Sequence, residues 1–455
     1  MVAEVSAVAG DSLDGRRIFR ADRASAIGTA LQRAEREAAG SGRYDRAEAI
    51  VAIGPGTHAL DTTFALDRSV NVHIVGAGAE RTTLRGAGTF VNAHGGGVAL
   101  YGVTMRDWSE VFGGFTTSDT SDTSFDRSTY WAPHWSAYHS RFIDVTSLVD
   151  FTKAGVIRGT RAPVRIKPDG VDHLEFAHTR HISGGASDQR GYLYMMGAYE
   201  RTVVRDSEFT DMWAGIIYLG QNYGFLRAGD QNFFIDQWGP AHISGTRFAD
   251  PRGSQPNMHP VATNYNVGLV LRGNEFTGHR TGADDAETIY VKSKLYIVDN
   301  NRVLDGPGRG VGHDGAASLK FGHGYLTNNT IAHGSDGSAA YGVYVSSGLI
   351  EATGNDVSGF NTCVVFTSST GFPRTLGKLP DGAYEYHYGA AFAARAREPL
   401  SEPVVLHDEV YACQNGIRKN NDEERLLVRD SDLSGSGRAA FGSAVDQIEF
   451  ERVAR

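Results

Sequence analysis

Cysteine, proline and long apolar runs are all scarce in this sequence. The chain has two cysteines, Cys363 and Cys413, and 13 prolines among 455 residues. Two cysteines provide neither a disulfide framework nor a zinc motif. We expect two buried free thiols, with a disulfide between neighbouring strands as the alternative. No apolar stretch reaches the length of a membrane-spanning helix, so no membrane partner is expected.

An excess of basic residues is also missing. The 44 Lys and Arg residues are outnumbered by 53 Asp and Glu residues, which leaves a formal net charge of −9. Proteins that bind nucleic acid usually carry a basic patch, so the composition argues against that partner. The N-terminal residues show no basic region followed by an apolar core, and we therefore expect no signal peptide in this sequence.

Glycine and short β-branched or aromatic runs are abundant. The 56 glycines suit an all-β protein with many turns. Residues 24–40 form the one convincing helical pattern, with Ala and Leu at helical spacing. Strand, glycine turn and strand follow at 49–60 and at 70–86. A helix that caps the first coil of a solenoid protects its exposed core and unpaired strand edges.

A short motif, with a turn residue first and an apolar residue last, recurs at a long period. Its last residues are separated by 39, 28, 27, 28 and 26 positions. A period near 27 is one coil of a parallel β-helix, and the longer interval indicates a coil with an inserted loop. Asn, Ser or Thr stands two positions before each apolar residue, where side chains of successive coils can stack. The copies are Asp206-Ser-Glu-Phe209, Gly245-Thr-Arg-Phe248, Gly273-Asn-Glu-Phe276, Asn300-Asn-Arg-Val303, Asn328-Asn-Thr-Ile331 and Gly354-Asn-Asp-Val357.

The sequence therefore predicts an all-β fold: a single right-handed parallel β-helix that spans residues 1–455 as one domain. Three stretches interrupt its period, at 112–136, 221–241 and 371–403. Insertions in a solenoid emerge as flanking loops and often form the binding face. Their aromatic residues suit stacking against the apolar faces of sugar rings.

Two lysines occupy equivalent positions of successive coils. In the strand around Ile289 and Val291, these two apolar residues should point inward, so Tyr290 and Lys292 should point outward. Lys320 follows Lys292 at the interval of one coil. Neighbouring lysines on a sheet repel each other unless an anion or a carboxylate lies between them. This pair favours binding or catalysis on a polyanion, and two ordinary solvated lysines are the alternative.

The segment EFTGHRTGADDAETIYVKS, followed by ASLKFGHG, resembles the alginate lyase and chondroitinase B group within the pectate-lyase-like β-helix superfamily. The resemblance covers about residues 274–330. It implies that Lys292 is the Brønsted base and that Asp285 and Glu287 are calcium ligands. Lys320 falls where that group has its catalytic arginine.

The sequence departs from that group in two places. The second strand contains Ser-Leu-Lys-Phe where the group has Leu-Arg-His, and the loop before it looks longer. Arg309 or His313 is therefore an alternative source of the catalytic proton. The substrate-binding residues that we expect are Tyr290, Tyr344, His323 and Arg272.

β-Elimination removes the C5 proton beside a uronate carboxylate. A cation must neutralise that carboxylate as charge develops, which is the role expected of calcium or of clustered Lys and Arg. A lysine acts as the base only when nearby positive charge or desolvation favours its neutral form. The sequence thus predicts a lyase that degrades an acidic polysaccharide and depends on calcium or on adjacent cations.

Other functions fit the same scaffold. A glycoside hydrolase or transglycosylase needs two carboxylates across a groove, for which Asp284 or Asp285 with Asp314 or Asp336 are candidates. A uronate C5-epimerase shares the first step of the lyase reaction. A tailspike-like or adhesin-like β-helix would bind glycan without catalysis. For the enzyme we expect an extracellular or periplasmic location, with an intracellular one as the alternative, and either a monomer or a homo-oligomer.

Overall fold

The structure is a computed structural model, and it describes most of the predicted coils. The predicted insertions lie largely outside the described residues. The predicted site residues Asp285, Arg309 and His313 also lie outside them, and so do the hydrolase candidates Asp284, Asp314 and Asp336. The described residues are 1–7, 10, 12–38, 47–66, 70–93, 97–113, 134–150, 173–186, 191–196, 201–213, 215–220, 241–251, 259–278, 287–304, 315–320, 323–334, 341–346, 349–367, 404–421 and 424–455.

The chain divides into two compact units. The first contains Met1–Thr210, and the described residues from Asp211 onward belong to the second. The expectation that residues 1–455 form one domain stays a prediction. None of the helices in the described ranges combines the length and the apolar character that crossing a membrane requires.

The first unit contains two helices and nineteen strands within its described residues. In chain order they are α1 (Val2–Ala7), β1 (Ser12–Leu13), β2 (Arg16–Ala21), α2 (Ala24–Ala38), β3 (Ala47–Ile53), β4 (Gly56–Ala59), β5 (Phe64–Leu66), β6 (Val70–Val75), β7 (Thr82–Arg85), β8 (Thr89–Ala93), β9 (Gly97–Tyr101), β10 (Thr104–Arg106), β11 (Glu110–Gly113), β12 (His134–Tyr138), β13 (Arg141–Ile143), β14 (Ser147–Asp150), β15 (His173–Ala177), β16 (Arg180–Ile182), β17 (Leu193–Met196), β18 (Arg201–Arg205) and β19 (Glu208–Thr210).

Strand β1 pairs antiparallel with β2, and the other strands form three parallel stacks. One stack runs β2, β3, β6, β9, β12, β15, β18, a second β5, β8, β11, β14, β17 and a third β4, β7, β10, β13, β16, β19. Helix α2 confirms the predicted cap. Its apolar side chains Ile27, Ala30, Leu31 and Ala34 recur at helical spacing and are buried, and the helix packs against β2 and β3.

Within its described residues, the second unit continues with strands β20 to β39 and one short 3-10 helix. They are β20 (Ile217–Gly220), β21 (Ala241–Ser244), β22 (Arg247–Ala249), β23 (Val261–Arg272), β24 (Glu275–Thr277), β25 (Ile289–Asp299), β26 (Arg302–Leu304), β27 (Gly315–Lys320), β28 (His323–Thr327), β29 (Thr330–Ala332), β30 (Tyr341–Ser346), β31 (Leu349–Thr353), β32 (Asp356–Ser358), β33 (Thr362–Thr367), β34 (Val404–His407), β35 (Val410–Ala412), β36 (Asn415–Lys419), β37 (Leu426–Arg429), β38 (Arg438–Phe441), the 3-10 helix Val445–Gln447 and β39 (Ile448–Glu451).

The second unit also has three parallel stacks. The long strands β23 and β25 each contribute to two of them, and their pairing shifts register between Asn264 and Asn266. Their first halves join β20, β27, β30, β33, β36 and β38 in a stack that we call the Lys292 face. Their second halves join β21, β28, β31, β34, β37 and β39. The third stack is β22, β24, β26, β29, β32 and β35. The predicted parallel β-helix fold is confirmed.

The recurring motif forms one corner of each coil. Its first residue takes a left-handed backbone conformation, with φ of 63° at Gly273 and 53° at Asn300. Gly and Asn adopt this conformation at little cost. The last residue, such as Phe276 or Val303, is buried in the core. The turn residue therefore bends the chain at the corner, and the apolar residue packs the next strand against the core.

The predicted side-chain ladder is present in the second unit. The amide Nδ2 of each asparagine donates to Oδ1 of the next one, at 2.8–3.0 Å. The last asparagine, Asn355, donates to Oε1 of Glu409 at 2.8 Å. Each asparagine also donates to a backbone carbonyl, so each of these buried side-chain amides uses both of its N–H donors. The ladder runs through Asn274, Asn301, Asn329, Asn355 and Glu409.

The expectation of free thiols is wrong. Cys363 and Cys413 form a disulfide with their Cα atoms 5.6 Å apart. Cys363 lies in β33, and Cys413 directly follows β35. Their sequence separation of 50 is not a multiple of the coil length, because the segment 368–403 separates β33 from β34. The coil period therefore gave no indication that these two positions are neighbours.

Candidate active site

Lys292 lies in the first half of β25, on the Lys292 face. Its strand neighbours Ile289 and Val291 are fully buried, whereas Tyr290 and Lys292 are partly exposed. Lys292 is paired with Asn264 on one side and with Lys320 on the other. Of Lys320, only the backbone is described. The spacing of one coil thus places these two lysines at opposed positions of neighbouring strands.

The Lys292 ammonium contacts the ring of Tyr290, two residues earlier in the same strand. Its Nζ lies 4.8 Å from the ring centroid, within the range of a cation–π interaction. The Tyr290 ring also stacks on the imidazole of His259, with centroids 4.6 Å apart and planes 6° from parallel. Tyr290 therefore connects the partly exposed amine to a buried histidine.

His259 is paired with Glu287, which lies one coil later. Nδ1 of His259 is 3.1 Å from Oε2 of Glu287, and their side chains are only 3% and 1% exposed. A buried carboxylate requires such a partner, because burial disfavours the charged form. His259 was not predicted as a site residue. Its position one coil before Glu287 is the signal in the sequence that would have indicated it.

Two hydroxyl groups reinforce the strands beneath Lys292. Oγ1 of Thr263 and Oγ of Ser293 are 2.9 Å apart, and the backbone N–H of Lys292 donates to Oγ1 of Thr263 at 3.3 Å. Both hydroxyl-bearing side chains are buried. They connect β23 and β25 where these strands change stacks, so they hold the backbone of Lys292 in place.

Tyr344 lies two coils from Tyr290 in the same row of positions. Ser318 separates them, paired with Tyr290 on one side and with Tyr344 on the other. Tyr344 is mostly covered, at 8% exposure. Burial raises the pKa of its hydroxyl, and the negative charge of Glu287 contributes to the same shift. Tyr344 therefore belongs to the surroundings of Glu287 and presents little ring surface to a ligand.

Arg272 and His323 lie on a different stack from Lys292. Arg272 ends the second half of β23, and its Nε donates to Oδ2 of Asp299 at 2.9 Å. His323 is paired with Leu295 in the second half of β25, and burial lowers the pKa of its imidazole. The structure does not bring these two residues to the Lys292 face, so their assignment to substrate binding stays a prediction.

The described part of the predicted calcium site is Glu287. Calcium takes six to eight oxygen ligands, but the Glu287 carboxylate is buried beside an imidazole nitrogen. Among the described residues there is no group of three His, Cys, Asp or Glu side chains arranged to hold a metal ion. Glu287 in this arrangement does not fit a calcium ligand. The requirement for calcium stays a prediction, since Asp285 is not among the described residues.

Comparison with known proteins finds similarity in structure only. No model of a known protein family matches the sequence, and no curated protein sequence is significantly similar. The A-module of mannuronan C-5 epimerase AlgE6 from Azotobacter vinelandii is 13% identical over 96% of both chains, with a TM-score of 0.43. The parallel β-helix itself is shown by the strand pairing of this chain.

Two further solved structures have comparable sequence identities and TM-scores. The catalytic unit of a GH87 α-1,3-glucanase from Streptomyces thermodiastaticus is 10% identical over 99% of this chain and 69% of its own, with a TM-score of 0.42. A mannuronic acid-specific polysaccharide family 6 lyase from human gut microbiota is 10% identical over 96% and 86%, with a TM-score of 0.40. At such identities a shared fold does not imply a shared activity.

Proposed function

We propose that this protein cleaves an acidic, uronate-containing polysaccharide by β-elimination, with Lys292 as the base. The observation that supports this assignment best is the pairing of Lys292 with Lys320 on one face of neighbouring coils. Two like charges at opposed positions of a sheet are unfavourable by themselves. A bound uronate carboxylate would compensate them.

In the proposed reaction, the neutral amine of Lys292 takes the C5 proton of the uronate. The electrons of the C–H bond form a C4–C5 double bond as the glycosidic C4–O bond breaks. The leaving oxygen takes a proton from an acid, for which Lys320, Arg309 and His313 are the candidates. Positive charge near the uronate carboxylate stabilises the anionic intermediate.

Several features of the surroundings of Lys292 support this role. The Tyr290 ring restrains the Lys292 side chain near the sheet surface, and His259 supports the ring from its other side. The Thr263 and Ser293 hydroxyls hold the backbone at this point. A base held in this way loses less conformational entropy when substrate binds. The disulfide suits an extracellular or periplasmic location, where oxidising conditions prevail.

The test is incubation with alginate, pectate, glucuronan and chondroitin or dermatan sulfate, monitored by the ultraviolet absorbance of the unsaturated uronate product. We expect absorbance to increase with at least one polymer and to be lost in Lys292→Ala. Arg302→Gln is a matched control, because Arg302 is an exposed cation on the third stack, paired with Glu275. Addition of EDTA, followed by addition of excess calcium, tests the predicted calcium requirement.

Four results would contradict the proposal. Absorbance that survives in Lys292→Ala would show that another group is the base. New reducing ends without absorbance would indicate a hydrolase. Exchange of the C5 hydrogen with deuterated solvent, without cleavage, would indicate an epimerase. Tight binding with none of these products would indicate a glycan-binding protein.

A further inference from the structure

A second cationic cluster lies at the far end of the Lys292 face, formed by Arg418, Arg438 and Phe441. Arg418 is in β36 and is paired with Phe441 in β38, the last strand of this stack. It occupies the same row of positions as Tyr290, four coils further along. The row contains Tyr290, Ser318, Tyr344, Val365, Arg418 and Phe441.

Neutral hydrogen-bond acceptors fix the orientation of the Arg418 guanidinium. Its Nη1 donates to the hydroxyl of Tyr341 at 3.3 Å. With the Asn420 amide turned so that its oxygen faces the guanidinium, Nε and Nη2 donate to that oxygen at 2.9 and 3.1 Å. A guanidinium has five N–H donors, so two remain after these three bonds. Arg418 is therefore held in place while it retains donors for a further acceptor.

Arg438 approaches the same aromatic ring as Arg418. The guanidinium carbons of Arg418 and Arg438 lie 5.8 and 5.3 Å from the Phe441 ring centroid. Both contacts fall within the range of cation–π interactions. Two positive charges are thus collected around one ring, and each repels the other.

This cluster differs in its partners from three other arginines of the last coils. Arg425, Arg429 and Arg452 each pair with a carboxylate at 3.1 Å or less. Within the part of the chain that the structure describes, neither Arg418 nor Arg438 has an ion pair with a carboxylate. The charge of the cluster is therefore not neutralised by an ion pair with a carboxylate of the described residues, although the chain as a whole has a net charge of −9.

We propose that Arg418, Arg438 and Phe441 form a subsite that binds the carboxylate of an acidic sugar. Arginine suits this role because its planar fork can donate two parallel hydrogen bonds to a carboxylate. The Phe441 ring offers an apolar surface to the sugar. Four steps of the inter-strand spacing separate the cluster from the Tyr290 position, which is about 19 Å. It would therefore bind a different residue of the same polymer from the one at Lys292.

This inference rests on the proposed function, since it assumes that the polymer is a polyuronate. The experiment is calorimetric binding of oligouronates from alginate and pectate, graded by length, to the Lys292→Ala protein. The use of this variant prevents turnover. The variants to compare are Arg418→Gln, Arg438→Gln and their combination, and the control is Arg425→Gln, which removes an exposed arginine with a carboxylate partner.

We expect the double variant to bind long oligouronates about tenfold or more weakly, as for the loss of charge-assisted hydrogen bonds. Oligomers too short to cover five coils should bind as before, and the control should match the parent. The affinity of the double variant should also depend less on salt. Arg438→Gln gives an independent result if Arg418→Gln affects folding, because the Arg438 side chain makes no hydrogen bond within the described residues.

The possible failures are distinguishable. If the parent binds long oligouronates and the arginine variants bind them equally well, the subsite is wrong and the proposed function is unaffected. If sulfated glycans lose affinity in these variants while oligouronates do not, the proposed carboxylate ligand is wrong. If no acidic oligosaccharide binds the parent at all, the proposed function fails, and this inference fails with it.

Discussion

His259 and Glu287 form a buried pair across neighbouring coils, with Nδ1 of the imidazole 3.1 Å from the carboxylate. The pair lies directly behind Tyr290, whose ring stacks on His259. A buried carboxylate that loses such a partner is destabilising, because its charge is then no longer compensated. This pair therefore has a structural role that can be measured separately from the chemistry of Lys292.

Glu287→Gln keeps the shape of the side chain and removes its charge. We expect the free energy of unfolding to fall by about 3 kcal/mol, because removing one charge of a buried pair leaves the other charge uncompensated. Urea denaturation measures it. Glu275→Gln is the control, because Glu275 is a partly exposed carboxylate beside Arg302 and should change stability by less than about 1 kcal/mol. Additive effects of Glu287→Gln and His259→Gln in a double-mutant cycle would argue against a coupled pair.

Because of the buried Glu409 at the end of the asparagine ladder, we expect stability to decrease as the pH rises from about 4.5 to about 8. Burial raises the pKa of its carboxyl from 4.5 to about 8. The unfolded chain releases this proton as the pH passes 4.5, whereas the folded chain keeps it until about pH 8. Stability should therefore be fully present below pH 4.5 and decrease as the pH rises toward 8, by at most about 1.4 kcal/mol per pH unit.

Glu409→Gln should remove this dependence. The amide can still accept from Asn355 and still contact the hydroxyl of Tyr411, which lies 2.9 Å from Glu409 Oε2. Urea denaturation between pH 5 and pH 8 compares the two proteins. An equal pH slope in both would show that Glu409 is ionised in the folded protein.

For His181 in the first unit we expect the opposite pH dependence, a loss of folding stability in acid. Its ring stacks between Phe142 and Phe209, with centroids 4.7 and 4.3 Å away. Complete burial lowers the pKa of its imidazole from 6.5 to about 3. The unfolded chain binds a proton below pH 6.5 and the folded chain does not, so stability should decrease as the pH falls from 6.5 toward 3.

An NMR pH titration of the His181 ring measures this shift directly. We expect its ring resonances to remain those of a neutral imidazole down to about pH 4. The exposed His139 serves as an internal comparison, because burial lowers its pKa as well but the ring remains accessible. Protonation of His181 near pH 6 in the folded protein would contradict the prediction.

Reduction of the disulfide should destabilise the second unit. Cys363 and Cys413 are separated by 50 residues, and a cross-link of this kind typically contributes about 2–4 kcal/mol by restricting the unfolded chain. Denaturation with and without a reducing agent measures the loss. The Cys363→Ser/Cys413→Ser protein should show the lower stability in both conditions. Equal stability of the parent in both conditions would mean that the bond does not form.

The sequence predicted most accurately where coils have nearly constant length. Successive asparagines of the ladder, from Asn274 to Asn355, are 27, 28 and 26 positions apart. Counting one coil therefore placed Lys292 opposite Lys320, and it placed the asparagines in one ladder. The alternation of buried and outward residues around Ile289 also followed from the strand pattern, because successive side chains of a strand point to opposite faces.

Prediction failed where an insertion or a change of stack intervenes. The disulfide joins Cys363 to Cys413 across the segment 368–403, whose length hides the spatial relation. Asn355 and Glu409 meet at the end of the ladder across the same segment, 54 residues apart. Arg272 is close to Asn264 in sequence, but β23 changes stacks between them. Arg272 therefore lies on another face from Lys292, and its assignment to substrate binding stays a prediction.

The sequence by itself determined the parallel coils, their corners and the outward position of Lys292, because turn residues and strand alternation act over a few residues and repeat. Only the tertiary structure decided that the cysteines pair and that Arg418 and Arg438 both contact the Phe441 ring. Those contacts depend on how each coil stacks on the next, and stacking is set by packing between segments that are distant in the chain.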